Sequence, residues 1–256
     1  MPWRETADPY LVLVSEVMLQ QTQVARVAPA YERFVQAFPD VGSLASAPLE
    51  QVLREWRGLG YNRRAVALKR AAQSIAREHG GRVPESADDL LRLPGVGPVT
   101  AAGVAAFAYG TPGVYIETNV RAALLHEFFP GEAAVTDAEL RPVYEAVMDS
   151  GNPREWLYAL MDYGAHVKKL HANPARRSAH HYRQSRFEGS WRQKRARALN
   201  ALVDAAGSVT PALLAERIDL SAEEARRVLG ELEAEGFVVR EGGDAGAGST
   251  DRFRVA

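Results

Sequence analysis

The chain has 256 residues, 31 Lys/Arg against 32 Asp/Glu, a net charge of −1 and no cysteine. That length accommodates one large domain and a small one. The absence of cysteine excludes disulfides, thiolate nucleophiles and cysteine-ligated iron–sulfur clusters. No apolar run is long enough to span a bilayer and no signal peptide is recognised, so a cytoplasmic protein is expected.

Taken in order, the sequence predicts helices. Asp8-Pro9 opens the first, with Asp8 as N-cap and Pro9 at the first helical position. Leu11, Val14 and Met18 give it an apolar face through Gln21. Further helices are expected near 28–37, 49–56, 63–79 and 87–91, separated by Pro39, Gly42, Pro48, Gly58, Gly60, Gly80 and Gly81. Leu93-Pro94-Gly95-Val96-Gly97 then predicts a tight hairpin, because Pro94 cannot extend a helix and the glycines permit positive φ and close backbone approach. The small residues of 100–108 form the helix it feeds, whose free N-terminal N–H groups suit an anion. An ordinary helix–turn–helix corner is the alternative. Two more helices are expected at 137–148 and 155–166.

From about residue 196 the pattern changes. Helix formers occupy 196–205, Thr210-Pro211 opens a second helix, and Ser221 with Glu224 makes a capping box for a third. Strands are expected at 237–240 and 252–255 around the glycine-rich loop 242–249. Three helices and a hairpin form a winged-helix-like pattern. Its third helix carries mostly acids, which leaves a packing or protein-contact role open beside DNA binding. Charge is segregated: from Lys168 to Arg197 ten Lys/Arg meet one acid, Glu188, with Tyr182, Phe187 and Trp191 among them. A basic, aromatic stretch within an otherwise acidic chain suits a polyanion.

Two carboxylates carry the candidate chemistry. Glu16 lies on the apolar first helix, where an unpaired buried carboxyl must raise its pKa and stay protonated, as a general acid requires; a Glu at the edge of the helix face is the alternative. Glu117 stands where an apolar run gives way to a helix in Ile116-Glu117-Thr118-Asn119; taken alone it reads as a simple cap, or as a carboxylate facing a cleft. One protonated and one ionised carboxyl together suit the breaking of a glycosidic bond.

Pro2-Trp3-Arg4, Asp8-Pro9-Tyr10, the run from Ser15 to Gln23, Trp56-Arg57-Gly58-Leu59-Gly60-Tyr61, Leu93-Pro94-Gly95-Val96-Gly97 and Ala159-Leu160-Met161-Asp162-Tyr163-Gly164-Ala165 occur together and in order. In this combination, over about residues 2–167, the chain resembles the helix-hairpin-helix DNA glycosylases, and among them the MutY-like adenine glycosylases. The resemblance implies that Glu16 protonates the purine leaving group. It implies that Gln20 and Gln21 enter the duplex beside the extruded nucleotide and that Tyr61 wedges near the opposite base. It also implies that amides around Gly95 and Gly97 hold a phosphate, and that Asn119 orders the site. The chain departs from the pattern in four ways. Glu117 stands where the family has Asp, and Val99 where bifunctional relatives have a Schiff-base Lys. The four-cysteine cluster loop is absent, with Lys168 near the place of its first Cys. A winged-helix-like tail stands in place of the domain that reads 8-oxoguanine.

The expected protein is therefore mainly α: a helix-hairpin-helix glycosylase fold of two helical subdomains (1–167), a basic segment (168–195) and a winged-helix-like module (196–256). Its expected function is monofunctional hydrolysis of the N-glycosidic bond of a flipped-out base, adenine opposite guanine or 8-oxoguanine, in base excision repair. Another base (uracil, hypoxanthine, mismatched thymine or an alkylated purine), or a non-catalytic DNA-binding protein on this scaffold, is the alternative. The expected site comprises Glu16 and Glu117 for catalysis, and Gln20, Gln21, Tyr61, Gly95, Gly97, Asn119, Arg176, Arg177 and Arg183 for DNA. No metal or cofactor is expected. The expected partner is double-stranded DNA carrying a damaged or mismatched base, bound by a monomer.

Overall fold

The computed structural model describes residues 1–181, 184–205, 207–241 and 251–256. Tyr182, Arg183 and the expected loop at 242–249 lie outside the described residues. Among those described, thirteen α-helices follow one another. They are α1 (Pro9–Leu19), α2 (Val24–Ala37), α3 (Val41–Ser46), α4 (Leu49–Glu55), α5 (Arg63–Glu78), α6 (Ala87–Arg92), α7 (Pro98–Tyr109), α8 (Thr118–Phe128), α9 (Asp137–Val147), α10 (Pro153–Leu170), α11 (Trp191–Asp204), α12 (Pro211–Ile218) and α13 (Ala222–Ala234). Short 3-10 turns occupy Pro2–Arg4 and Pro174–Arg177. The strands β1 (Val238–Glu241) and β2 (Arg252–Val255) form an antiparallel ladder that pairs Val238 with Val255 and Glu241 with Arg252. No described helix is long and apolar enough to cross a membrane.

Capping chemistry set these boundaries. Asp8 accepts from the amides of Tyr10 and Leu11, Thr210 from Leu213, and Ser221 with Glu224 closes its capping box. Several expected boundaries shift, including that of α11, which starts at Trp191 rather than 196 because Ser190 caps it, and one helix is new. The first helix stops at Leu19, because Gln21 takes a left-handed φ of 52°. The second starts at Val24 and carries Pro29 inside its first turns. A short helix not expected from the sequence, α3, is started by a capping box between Asp40 and Ser43. α10 runs on to Leu170, because Lys168 and Lys169 sit in a last turn whose partial negative charge favours them.

The chain divides into two compact units. The first comprises Met1–Gln23 and Ser74–Gln184. In it α1 packs on α7, α6 on α7, α8 on α9 and, most extensively, α8 on α10. Gly164 permits that last contact: a Cβ there would meet the carbonyl carbon of Asn119 at 2.6 Å and its oxygen closer still. The second unit comprises Val24–Gln73 and Ser185–Ala256. Its apolar centre holds Phe34, Phe38, Leu44 and Trp56, all essentially inaccessible, with Phe34 edge-on to both Phe38 and Trp56.

The C-terminal helices and hairpin belong to this second unit, where α11 packs on α4 as well as on α12, α13 and β2. The acids of α13 and its C-cap are engaged internally. Glu224 pairs with Lys194. Glu231 accepts from Trp191 Nε1 at 2.8 Å and from Arg195 at 2.9 Å. Glu235 binds both Arg63 and Arg195, and the Arg63 bond is the main reason its carboxyl falls to about 2. These bonds are what a packing role for the helix requires.

Gly164→Ala forces a methyl group into the Asn119 backbone and is expected to lower stability by about 1–3 kcal/mol. Gly230→Ala, in a helix interior with open space beyond its Cα, is expected to raise it by about 0.5–1 kcal/mol. Thermal unfolding of the two variants checks the pair; equal melting temperatures would mean that the α8–α10 approach is not as tight as described.

Candidate active site

Glu16 sits on the face of α1 turned to α7, with 8% of its surface exposed. The residue opposite it on α7 is Gly103. A Cβ there would collide with the Glu16 carboxylate and would stand 2.8 Å from the Tyr115 ring. The small side chain that makes α7 look merely tightly packed therefore leaves the volume that the carboxyl occupies. The Tyr115 hydroxyl donates to Glu16 Oε2 at 3.1 Å, which leaves Oε1 as the oxygen able to carry a proton. Burial pushes the Glu16 carboxyl up to about 8; the Tyr115 hydrogen bond opposes the rise and the Glu117 charge adds to it. Tyr115 is itself buried, and desolvation with the nearby Glu16 charge holds its hydroxyl well above the usual phenol range.

An aromatic wall backs this pair. Phe107 of α7 meets Tyr115 edge-on at 5.3 Å and stacks flat on Tyr158 at 4.8 Å. The Arg4 guanidinium lies 4.5 Å from the centre of the Tyr158 ring and holds Asp162 through two bonds of 2.8 Å. Arg154 reaches back to the carbonyls of Arg4 and Thr6. The Pro2-Trp3-Arg4 segment is thereby fixed to α10.

Glu117 is the N-cap of α8 and half-buried. Its Oε1 accepts from the amides of Asn119 at 2.7 Å and Val120 at 2.9 Å, and its Oε2 from Asn119 Nδ2 at 3.4 Å. The Asn119 Oδ1 in turn accepts from Lys168 Nζ at 2.8 Å. Desolvation raises the Glu117 carboxyl, opposed by the two amide bonds and by the charges of Lys168 and Arg121. Its hydrogen-bond partners are all donors, a set that matches an ionised carboxylate at a helix N-terminus. The carboxylate expected at the site is thus also the N-cap of α8.

The hairpin between α6 and α7 holds Gly95 at φ 78°, while Gly97 is the extended N-cap of α7 and Pro98 its first residue. Gln20 ties α1 to that hairpin, donating to Thr100 Oγ1 at 3.0 Å and to the Gly95 carbonyl at 3.4 Å. Gln21 is exposed and accepts from Gln184 at 3.3 Å. Tyr61, in the second unit, is 42% exposed with φ 49°. Below it Arg64 lies between the Tyr61 and Trp56 rings, and both Arg64 and Trp56 Nε1 donate to the Gly60 carbonyl.

The basic segment divides by role. Arg177 directs its guanidinium to the carbonyls of Leu125, Phe129 and Glu132 at the C-terminal end of α8. Backbone bonds between Val135 and both Arg177 and Ala179 fasten the same strap. Arg176, beside it, is exposed; Arg183 lies outside the described residues. Lys194 and Arg195 are taken up by the acids of α13. Among the described residues no group of His, Asp and Glu could hold a metal ion. Sequence reasoning missed Tyr115, although it lies two residues before Glu117 and within the same apolar run. It also missed Gly103 and Gly164, whose purpose is visible only across a helix pair.

Similarity to known proteins agrees with this arrangement. The model of the family described as HhH-GPD superfamily base excision DNA repair protein matches residues 14–154. An adenine DNA glycosylase of Mycobacterium tuberculosis is 39% identical over 171 residues, which cover 65% of this chain and 56% of that protein. The chain thus spans little more than half of that relative's length. One of Mycolicibacterium smegmatis is 34% identical over 233 residues, covering 84% of this chain and 79% of that protein. Among solved structures, a thermostable thymine-DNA glycosylase superposes with a TM-score of 0.58 at 29% identity, covering 64% of this chain and 77% of its own. Glu16, the α6–α7 hairpin and Glu117 all fall within the matched residues, and the chain belongs to the HhH-GPD superfamily of base excision DNA repair proteins.

Proposed function

We propose that this protein is a monofunctional DNA glycosylase that hydrolyses the N-glycosidic bond of adenine opposite guanine or 8-oxoguanine. The observation that carries the reading is the pair formed by a buried, proton-retaining Glu16 and a donor-surrounded Glu117. Glu16 delivers its proton to the adenine ring, so that the base leaves as a neutral molecule. Glu117 faces the oxocarbenium-like sugar as a carboxylate, and water completes the hydrolysis. Val99, at the N-terminal turn of α7 where the resemblance would put a lysine, offers no amine for a covalent lyase step. The names of the similar mycobacterial proteins support adenine as the base. The similar solved structure, named as a thymine-DNA glycosylase, supports thymine in a mismatch as a second reading.

DNA contacts follow from the same reading. The amides around Gly95 and Gly97, at the start of α7, suit a backbone phosphate. Gln20, Gln21 and the exposed ring of Tyr61 are the groups for entering the stack when the target base is extruded, at an unstacking cost of about a few kcal/mol. Asn119 orders the catalytic carboxylate, and Arg176 and Arg183 supply phosphate contacts. The role proposed for Arg177 shifts to holding the strap that presents its neighbour.

The test is single-turnover base release from duplexes with adenine opposite 8-oxoguanine or guanine, mismatched thymine, uracil, hypoxanthine or an alkylated purine. Adenine release that Glu16→Gln abolishes, with duplex affinity retained, is the expected result. Release of another base alone would overturn the adenine assignment. A second expectation concerns stability. From the ordinary carboxylate range near about 4.3 up to about 8, folded Glu16 keeps a proton that the unfolded chain has released. Folding therefore weakens as pH rises through that window. Glu16→Gln removes the linkage, so it should stabilise the protein by about 2–4 kcal/mol near about pH 8, and by much less near about pH 5. Denaturant unfolding at the two pH values measures the difference. Third, Arg176→Ala combined with Arg183→Ala should flatten the dependence of log K on log salt by about 1–2; an unchanged slope would place neither side chain on phosphate.

A further inference from the structure

We propose that Lys168 is a positioning residue of this site: through Asn119 it fixes the donor that Glu117 receives, and so keeps Glu117 in place as a carboxylate. The inference rests on the glycosylase reading for its catalytic consequence, but its geometry is independent of that reading. Gly164 and Lys168 lie one turn apart on the same face of α10. At Gly164 the missing Cβ lets α10 come against the backbone of Asn119. One turn further on, Lys168 Nζ reaches Asn119 Oδ1 at 2.8 Å.

An ammonium group donates only, so it can hold only the oxygen of that amide. The Asn119 Nδ2 is thereby turned toward Glu117 Oε2, 3.4 Å away. The oxygen and nitrogen ends of the amide are nearly equivalent in shape, so without the lysine only the long 3.4 Å contact to Glu117 Oε2 selects between them. Glutamate needs this restraint, because its stem has one more rotatable bond than aspartate and the two backbone amides engage only Oε1.

The charged and titratable groups around Glu117 are few. Glu16 comes from α1 and Tyr115 from the segment before α8. Arg121, on α8 itself, is already bound to Asp137 through two bonds of 2.7 Å. Lys168 is the cation contributed by α10, and with Arg121 it opposes the desolvation of Glu117.

The experiment compares the unaltered chain with K168M and K168R. The titration of the Glu117 carboxyl is followed by carbon-13 NMR, assigned with E117Q, alongside single-turnover adenine release across pH. The expected result is that K168M moves the Glu117 titration to higher pH and moves the acidic limb of the rate profile with it. The rate near neutrality then falls about tenfold, while K168R keeps both near those of the unaltered chain. Should K168M not fold, K168A, which removes both the donor and the charge, serves in the same comparison. A Glu117 titration that is the same with and without the lysine charge overturns the proposal. If the unaltered chain releases no adenine, the proposed reaction fails, yet the titration still decides the role of Lys168.

Discussion

A carboxyl group enclosed between two apolar helices is the constraint on which the first unit depends. Glu16 has 8% of its surface exposed, and ionising it there would strand a charge in a medium that solvates it poorly. Two features reconcile the chain to it. Gly103 leaves the space, and Tyr115 supplies one hydrogen bond to an oxygen that would otherwise have none among the described residues. The outcome is a carboxylic acid that keeps its proton through neutrality, the state that a general acid must occupy before substrate arrives. The stability lost to that burial and the readiness to donate a proton have one physical cause.

The second carboxylate is held by the opposite strategy. Glu117 receives its bonds from the open end of α8, where the helix amides need acceptors in any case, so the helix cap and the carboxylate proposed for the site coincide. Placing α8 is then the structural task, and α10 does most of it. Gly164 admits the close approach, Arg121 and Asp137 join α8 to α9, and Arg177 closes the far end of α8 by binding its last carbonyls. In a chain without cysteine, this fastening combines close helix packing with ion pairs and hydrogen bonds. Part of the basic stretch that looks like a polyanion surface in the sequence thus has an internal role, and so do Lys194 and Arg195 in the second unit.

Local chemistry was legible in the sequence. The caps at Asp8, Glu117, Thr210 and Ser221 are read from the residues beside them, and the structure forms each one. The helical class and the winged-helix-like pattern follow from the same signals with hydrophobic period. Boundaries set by longer-range packing were less legible. α3 hides behind Gly42, although Asp40 and Ser43 announce its capping box, and α10 continues through two lysines that look like the start of a basic linker. Site residues divide in the same way. Glu16 and Glu117 are conspicuous as charges among apolar neighbours. Tyr115, Gly103 and Gly164 are ordinary residues in the sequence, and their purpose is visible only once the facing helix is in place.

The central claim is that Glu16 is a neutral acid at the pH where the protein works. Infrared difference spectroscopy between the unaltered chain and Glu16→Gln isolates the carbonyl stretch of that one protonated carboxyl, with no dependence on any substrate. A protonated-carboxyl band is expected to persist through neutrality and to disappear as pH rises through about 8. Loss of that band in the ordinary carboxylate range near about 4.3 would contradict the claim, and with it the role proposed for Glu16.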